Sequence, residues 1–173
     1  MPGGNIVHAH WKQDAGVIYL FFMRLTLHTD YALRTLLYLG IHTDRLTSIR
    51  EVAQAYGISE NHLVKIIHRL GQGGFIETIR GRNGGLRLGR PAASILIGDV
   101  VRYTEEDMAL VNCMQPADPE RPDMKPCILA DACRLRGVLG EALGSFIAVL
   151  DRYTLADVIT DRERQRLQAP TRM

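Results

Sequence analysis

The sequence predicts a mainly α-helical fold: a winged helix-turn-helix with a small β-hairpin wing, followed by a long C-terminal dimerisation helix. Three observations lead to this class. Two short amphipathic helical patterns flank residues 57–59, two alternating strand patterns around a glycine-rich turn come next, and a longer amphipathic pattern begins at residue 134. With 173 residues, 46% hydrophobic and 23% charged, the chain has the composition of an ordinary globular domain.

The first 22 residues show neither a helical period nor a clean strand period. Helical patterning begins only after Met23, so we expect Met23 to be the true start and residues 1–22 to be a mis-assigned or disordered extension. The longest nearly uncharged apolar stretch, residues 16–23, is far shorter than the roughly 20 residues that cross a bilayer. It also lacks a small-residue cleavage site. We therefore expect a cytoplasmic protein that does not enter a membrane.

The pattern divides the chain into five segments. They are the N-terminal extension (1–22), the winged helix-turn-helix (23–102), a cysteine-bearing loop (103–133), the dimerisation helix (134–158) and a polar tail (159–173). In the winged domain, Thr29 and Asp30 offer capping oxygens to a first helix. Ser48 and Glu51 have the spacing of a capping box for a second helix, which ends at Gly57.

A third helix is predicted from Glu60 to about Leu70, with Ser59 as its cap. Helical spacing turns its apolar residues inward, and these are Leu63, Ile66, Ile67 and Leu70. The same spacing turns five polar residues outward: Asn61, His62, Lys65, His68 and Arg69. The alternating residues 75–80 and 86–88 around a glycine-rich turn then predict the hairpin wing. A further helix is expected over residues 95–102, capped from Ser94.

Basic charge is concentrated in the first half of the chain. Residues 24–90 hold 10 lysines and arginines against 5 acidic residues, whereas residues 91–133 hold 3 against 8. Clustered positive charge favours a polyanion, a helix of this kind fits the DNA major groove, and a glycine-rich tip allows close approach to the minor groove. The candidate DNA-binding residues are Ser59, Asn61, His62, Lys65, Arg69, Arg80, Arg82, Asn83 and Gly84. A winged domain for protein contacts and a phosphate-binding loop remain the alternatives.

The three cysteines lie within a proline-rich stretch. Cys113, Cys127 and Cys133 are separated by 13 and then 5 residues. Their odd number, in a chain without an export signal, argues against disulfide bonds, and their spacing matches neither a paired zinc motif nor a thioredoxin motif. Three thiolates favour zinc or an iron-sulfur cluster, with a fourth ligand from elsewhere, while inert cysteines are the alternative.

The predicted C-terminal helix presents a wider apolar face than a small winged domain needs, which indicates a homodimer. The residues expected at its interface are Leu139, Leu143, Phe146 and Leu150. The sequence contains no nucleophile elbow, paired catalytic carboxylates or Walker motif, so we do not expect an enzyme.

Four stretches of the chain, residues 23–34, 59–65, 80–88 and 133–158, resemble the NsrR group of transcriptional repressors. This nitric-oxide-sensitive group shares a family with the iron-sulfur regulator IscR. The resemblance implies a homodimer that binds an iron-sulfur cluster through Cys113, Cys127 and Cys133 and releases operator DNA when nitric oxide attacks the cluster. It further implies that Asp30 of the partner subunit completes a four-iron cluster, a role that competes with helix capping.

The chain departs from that family in two places. The segment between its first two cysteines is longer, which bears on the assignment of Cys113 as a ligand. Arg136 stands where the IscR pattern has a histidine three residues after the last cysteine, which favours a 4Fe-4S over a 2Fe-2S cluster. The alternatives are an iron or redox regulator with a two-iron cluster and a structural or interaction domain in which zinc holds the loop together.

Overall fold

The computed structural model describes residues 24–115, 127–129 and 131–168, so the expected extension (1–22) and the middle of the expected cysteine loop lie outside the described residues. The helices are α1 (Leu27–Ile41), α2 (Ile49–Tyr56), α3 (Glu60–Gln72), α4 (Ile97–Thr104), α5 (Arg134–Leu150), α6 (Leu155–Val158) and α7 (Asp161–Gln168). Strands β1 (Ile76–Ile79) and β2 (Gly85–Leu88) form an antiparallel hairpin. The predicted mainly helical class with a small wing is confirmed. Among the described helices, none is long and apolar enough to cross a membrane.

Helix α1 lies at the centre of the core but begins earlier than expected. Its cap is Thr26, whose side-chain oxygen accepts a hydrogen bond from the main-chain N–H of Thr29 at 3.3 Å. The expectation that Thr29 and Asp30 cap this helix is therefore wrong, because both lie within its first turn. The buried hydroxyl of Thr29 instead bonds across to another helix.

Helices α2 and α3 form the helix-turn-helix as the sequence predicts. The capping box is present, since Ser48 and Glu51 exchange side-chain to main-chain hydrogen bonds. Gly57 ends α2 with a left-handed φ of 64°, a conformation that favours glycine. Ser59 is the N-cap of α3 by its extended backbone, although its side chain makes no capping bond. The inward residues of α3 are buried as predicted: Leu63, Ile66, Ile67 and Leu70.

The wing is a short hairpin held against the turn before α2. Residue Ile76 pairs with Leu88, and the main chain of Leu86 exchanges two hydrogen bonds with that of Thr47, at 2.8 and 3.0 Å. A side chain at Gly84 would overlap the carbonyl oxygen of Ile79, so glycine is required there by close backbone approach. Positive φ within this turn occurs at Gly81, with a value of 116°.

Helix α4 differs at its start from the sequence prediction. It begins at Ile97, with Leu96 at the cap position, rather than at residue 95 with a serine cap. Ser94 belongs to a single 3₁₀ turn, and its hydroxyl donates a hydrogen bond to the carbonyl oxygen of Pro91. The Ser94 hydroxyl is thus used within the turn that follows Pro91 and does not cap α4.

The C-terminal part returns to the core instead of extending outward. Helix α5 ends at Leu150 rather than at residue 158, because Thr154 and Asp157 form a new capping box that starts α6. Leu155 and Ile159 are buried in the core of the winged domain. The expected polar tail (159–173) accordingly contributes a core residue and contains α7.

Candidate DNA-binding surface and cysteine centre

One face of α3 is exposed and polar. The structure places Ser59, Asn61, His62 and Lys65 on the exposed surface, as helical spacing predicts. Val64 lies among them with 51% of its surface exposed. Sequence reasoning missed this residue because it treated apolar side chains as core, although Asn61 three residues before it and His68 four residues after it are outward on the same face. An exposed valine on such a face can contact the methyl group of a thymine.

Arg69 is oriented differently from the prediction. Its Nε and Nη2 atoms donate hydrogen bonds to the main-chain carbonyl oxygen of Tyr103, at 3.2 and 2.9 Å. That carbonyl is among the last four of α4, which lack partners within the helix. The half-buried guanidinium therefore stabilises the contact between α3 and α4, which corrects the outward placement expected from spacing.

The tip of the wing exposes two arginines. Arg80, Arg82 and Asn83 are exposed and Gly84 is half-buried. Within the part of the chain that the structure describes, Arg80, Arg82 and Lys65 form no ion pair. Other arginines of this domain do pair with carboxylates: Arg34 with Asp30, Arg45 with Glu51, Arg50 with Glu60 and Arg87 with Glu77. Three exposed cations without an ion pair among the described residues thus lie on the predicted recognition helix and wing, while Arg24 is a further one before α1.

The carboxylate of Asp30 forms an ion pair with Arg34. Arg34 Nε lies 2.9 Å from Asp30 Oδ1, and Arg34 Nη2 lies 2.9 Å from Asp30 Oδ2. This bidentate pair spans one turn of α1 and leaves the carboxylate about 39% exposed. A carboxylate has further lone pairs beyond the two that Arg34 occupies, so the pair leaves Asp30 able to accept another ligand.

All three cysteines precede the first residue of α5 in the chain. Cys113 is half-buried in a 3₁₀ turn, Cys127 is exposed, and half-buried Cys133 is the N-cap residue of α5. All three are free thiols. Within residues 24–115, 127–129 and 131–168 of the single chain, no three histidine, cysteine or acidic side chains are grouped to hold a metal ion.

The segment that leads to the cysteines is attached to the start of α1. The carboxylate of Glu105 accepts hydrogen bonds from the main-chain N–H and the hydroxyl of Thr26, at 2.8 and 3.1 Å. One residue earlier, the hydroxyl of Thr104 lies 2.8 Å from that of Thr29. The helix turn that carries Asp30 and the start of the cysteine-bearing segment therefore form one structural unit.

A cleft of about 270 Å³ opens beside this unit. Its lining is charged and polar and consists of Thr26, His28, Arg69, Thr104, Glu105, Glu106 and Asp107. Burial and the positive charge of Arg69 lower the pKa of His28, against the opposing charges of Glu106 and Glu105. The Nε2 atom of His28 is buried and has no hydrogen-bond partner among the described residues.

Comparison with known proteins assigns this architecture to a family. The model of the family Rrf2, described as an iron-dependent transcriptional regulator, matches residues 25–161. The chain belongs to the Rrf2 family. Its Rrf2 relatives include the HTH-type transcriptional regulator NsrR of Geobacillus kaustophilus, 51% identical over 145 residues that cover 83% of this chain and 95% of the relative. The regulator of the same name from Bacillus subtilis is 46% identical over 142 residues, covering 82% and 93%.

A solved Rrf2-like structure gives the same architecture. The structure of T. potens IscR superposes with a TM-score of 0.64 at 24% identity and covers 83% of this chain and 90% of that protein. At this identity the likeness establishes the fold alone. The resemblance expected from the sequence is confirmed by the family and by the NsrR relatives. These relatives are named transcriptional regulators, which also confirms the expectation that this Rrf2 protein is not an enzyme.

Proposed function

We propose that this Rrf2 protein is a repressor that binds operator DNA as a homodimer and loses affinity for the operator when nitric oxide attacks a bound iron-sulfur cluster. The observation that carries the proposal is that three free thiols follow directly after a winged helix-turn-helix with unpaired cations on its helix and wing. The relatives named NsrR support the choice of signal. A protein of this kind acts on the genome in the cytoplasm.

DNA recognition is assigned to α3 and the wing. Asn61 and His62, near the start of α3, have the polar groups to contact base edges in the major groove, while Lys65 neutralises a phosphate. Arg80 and Arg82 of the wing are placed to follow the minor groove, where glycines permit close approach. Ser59, Asn83 and Gly84 complete the proposed contact surface.

Dimerisation is assigned to the apolar face of α5. In the single chain this helix buries none of its residues, and Phe146 remains 39% exposed. Leu139, Leu143 and Leu150 are partly exposed on the same helix. An apolar face of this length is covered in a stable protein, and a second copy of the chain fits it face to face about a two-fold axis. Such a dimer presents two recognition helices to successive turns of DNA.

The thiols suit an iron-sulfur cluster. Cys113, Cys127 and Cys133 are soft sulfur donors of the kind that iron-sulfur clusters take, and Cys133 is the N-cap residue of α5. Asp30 of the partner subunit would supply the fourth ligand of a four-iron cluster. When bound, the cluster supplies iron that reacts with nitric oxide. Arg34 orients the carboxylate of Asp30, and Glu105 ties the segment that carries Cys113 to the start of α1.

Operator binding by Cys133→Ala tests the coupling. We expect anaerobic wild type to bind a specific operator tightly and Cys133→Ala, which loses one ligand, to bind it weakly and without response to nitric oxide. Met114→Leu removes the sulfur of the residue next to Cys113, which is not one of the proposed ligands, and should behave as wild type. Unchanged operator affinity in Cys133→Ala would refute the coupling. A two-iron content would favour the iron or redox regulator, and a colourless zinc protein would favour the structural domain.

A further inference from the structure

Four side chains form a continuous stack between the DNA-binding elements and α4. The guanidinium carbon of Arg69 lies 5.4 Å from the ring centroid of Tyr103. The ring of Tyr103 lies 5.4 Å from that of Phe75, and the guanidinium carbon of Arg90 lies 4.6 Å from the ring of Phe75. Arg69 is in the last turn of α3, whereas Phe75 and Arg90 flank the wing. The stack therefore joins the recognition helix, the base of the wing and α4.

Tyr103 is held in this stack by directional bonds as well as ring contacts. Its hydroxyl donates a hydrogen bond to the main-chain carbonyl oxygen of Arg69 at 2.9 Å, while the guanidinium of Arg69 bonds the carbonyl oxygen of Tyr103. Hydrogen bonds from a charged donor are stronger than neutral ones. The exchange fixes the end of α3 against the end of α4 in one orientation.

The space around the Tyr103 ring is closed on the side of the wing. A Cβ atom at Gly73 would lie 2.7 Å from Tyr103 Cζ and 2.9 Å from Phe75 Cδ2, closer than side-chain atoms pack. The ring is thus wedged against the connection between α3 and β1. A movement of the Tyr103 ring toward the wing would therefore displace either that connection or the ring of Phe75.

Tyr103 directly precedes the segment that leads to the cysteines. The next two residues, Thr104 and Glu105, bond to the first turn of α1 through Thr29 and Thr26 and lead into the segment with Cys113. We propose that Tyr103 is the positioning residue through which the cysteine-bearing segment sets the arrangement of the recognition helix and the wing. This inference rests on the proposed function, since it concerns the coupling between the cysteines and DNA.

The test compares two variants of Tyr103 with wild type in cluster-bound and cluster-free form. Tyr103→Phe keeps the ring and loses the bond to the Arg69 carbonyl, and Tyr103→Leu loses the ring. The cluster should raise operator affinity of wild type about 5- to 150-fold, the usual range of allosteric coupling. We expect Tyr103→Phe to lower this ratio severalfold and Tyr103→Leu to bring it close to one. Tyr153→Leu, at an exposed tyrosine outside the stack, should keep the wild-type ratio.

A second readout does not involve DNA. In wild type, cluster binding should slow amide hydrogen exchange of residues 70–79, and in Tyr103→Leu this difference should vanish although iron and sulfide contents are unchanged. A merely structural role would lower stability while preserving both the exchange difference and the affinity ratio, and that result in both variants would overturn the proposal. A wild-type ratio of one would instead refute the proposed function and the inference with it.

Discussion

The side-chain hydroxyls of Thr29 and Thr104 lie 2.8 Å apart in the interior, joining the first turn of α1 to the last turn of α4. Asp30 follows the first of these residues and the cysteine-bearing segment follows the second. One buried contact therefore anchors residues of both proposed cluster sites of the dimer, since Asp30 would serve the partner's cluster and Cys113 the cluster of its own chain. Whatever shifts this contact shifts both the carboxylate and the start of the segment that carries Cys113.

Loss of this contact should destabilise the fold. Thr104 donates its hydroxyl proton to the carbonyl oxygen of Val100 at 2.8 Å, so Thr29 donates to Thr104. Thr104→Val leaves both partners without their bond, and urea denaturation should give a loss of about 1–3 kcal/mol. Thr47 is equally buried, but its hydroxyl has no hydrogen-bond partner among the described residues, so Thr47→Val should cost no stability. Equal losses in the two variants would contradict this account.

The capping box of α2 should make stability depend on pH. Partial burial raises the pKa of Glu51, but hydrogen bonds from the Ser48 N–H and from Arg45 outweigh it and lower the pKa below its ordinary value. The folded state therefore binds this proton less readily than the unfolded state, and the stabilisation is lost as pH falls through the lowered pKa.

Glu51→Gln should accordingly be less stable than wild type at neutral pH, with a difference that narrows on acidification to about pH 3. Thermal unfolding between neutral pH and about pH 3 measures this difference in stability. Glu141→Gln, at an exposed carboxylate of α5, should track wild type throughout. A constant difference between Glu51→Gln and wild type would show that the carboxylate charge is not what stabilises the helix start.

The unpaired arginines of the wing should contribute to the salt dependence of DNA binding. Arg82→Ala deletes from each subunit a cation that no carboxylate of the described structure neutralises, so the plot of log affinity against log salt should become less steep by about two for the dimer, one for each copy. Arg87→Ala provides the matched control on the same hairpin, because Arg87 already pairs with Glu77 at 2.8 Å. Titrations with operator DNA at several salt concentrations give the slope for each variant and for wild type. An equal change of slope in both would remove the wing tip from the interface.

The apolar face of α5 should hold the dimer together. A charge at Leu143 or Phe146, as in Leu143→Glu or Phe146→Glu, would be buried without a partner in the interface and should give a monomer in sedimentation equilibrium. Ala148→Glu places the same charge on the exposed opposite side of the helix and should leave the dimer intact. A wild-type monomer would refute the proposed dimer, and a dimer in all three variants would place the interface elsewhere.

Local signals in the sequence were sufficient for much of the winged domain. The capping box of Ser48 and Glu51 and the stop at Gly57 depend on residues that are close in the chain, and both are present as predicted. The cap of α1 was misplaced because Thr26 and Thr29 both offer suitable oxygens. The long-range hydrogen bond that the Thr26 N–H donates to the Glu105 carboxylate cannot be predicted from neighbouring residues.

Of two further differences between prediction and structure, one has a tertiary cause and the other a local one. Arg69 is outward by helical spacing, yet the unpartnered carbonyl of Tyr103 draws its guanidinium inward, and only the packing of α4 on α3 reveals this. By contrast, the early end of α5 could have been found. Thr154 and Asp157 have capping-box spacing, and buried Leu155 follows Thr154 directly.

One anaerobic sample can show whether a cluster controls operator affinity. The cluster in question is the one that Cys113, Cys127 and Cys133 would hold. Iron, sulfide and zinc are quantified, and the visible spectrum and operator binding are followed together during titration with nitric oxide. We expect a brown protein with about four irons per cluster, and we expect its colour and its operator affinity to be lost over the same range of nitric oxide concentration. A colourless protein, or a cluster that bleaches while operator affinity stays unchanged, would contradict it.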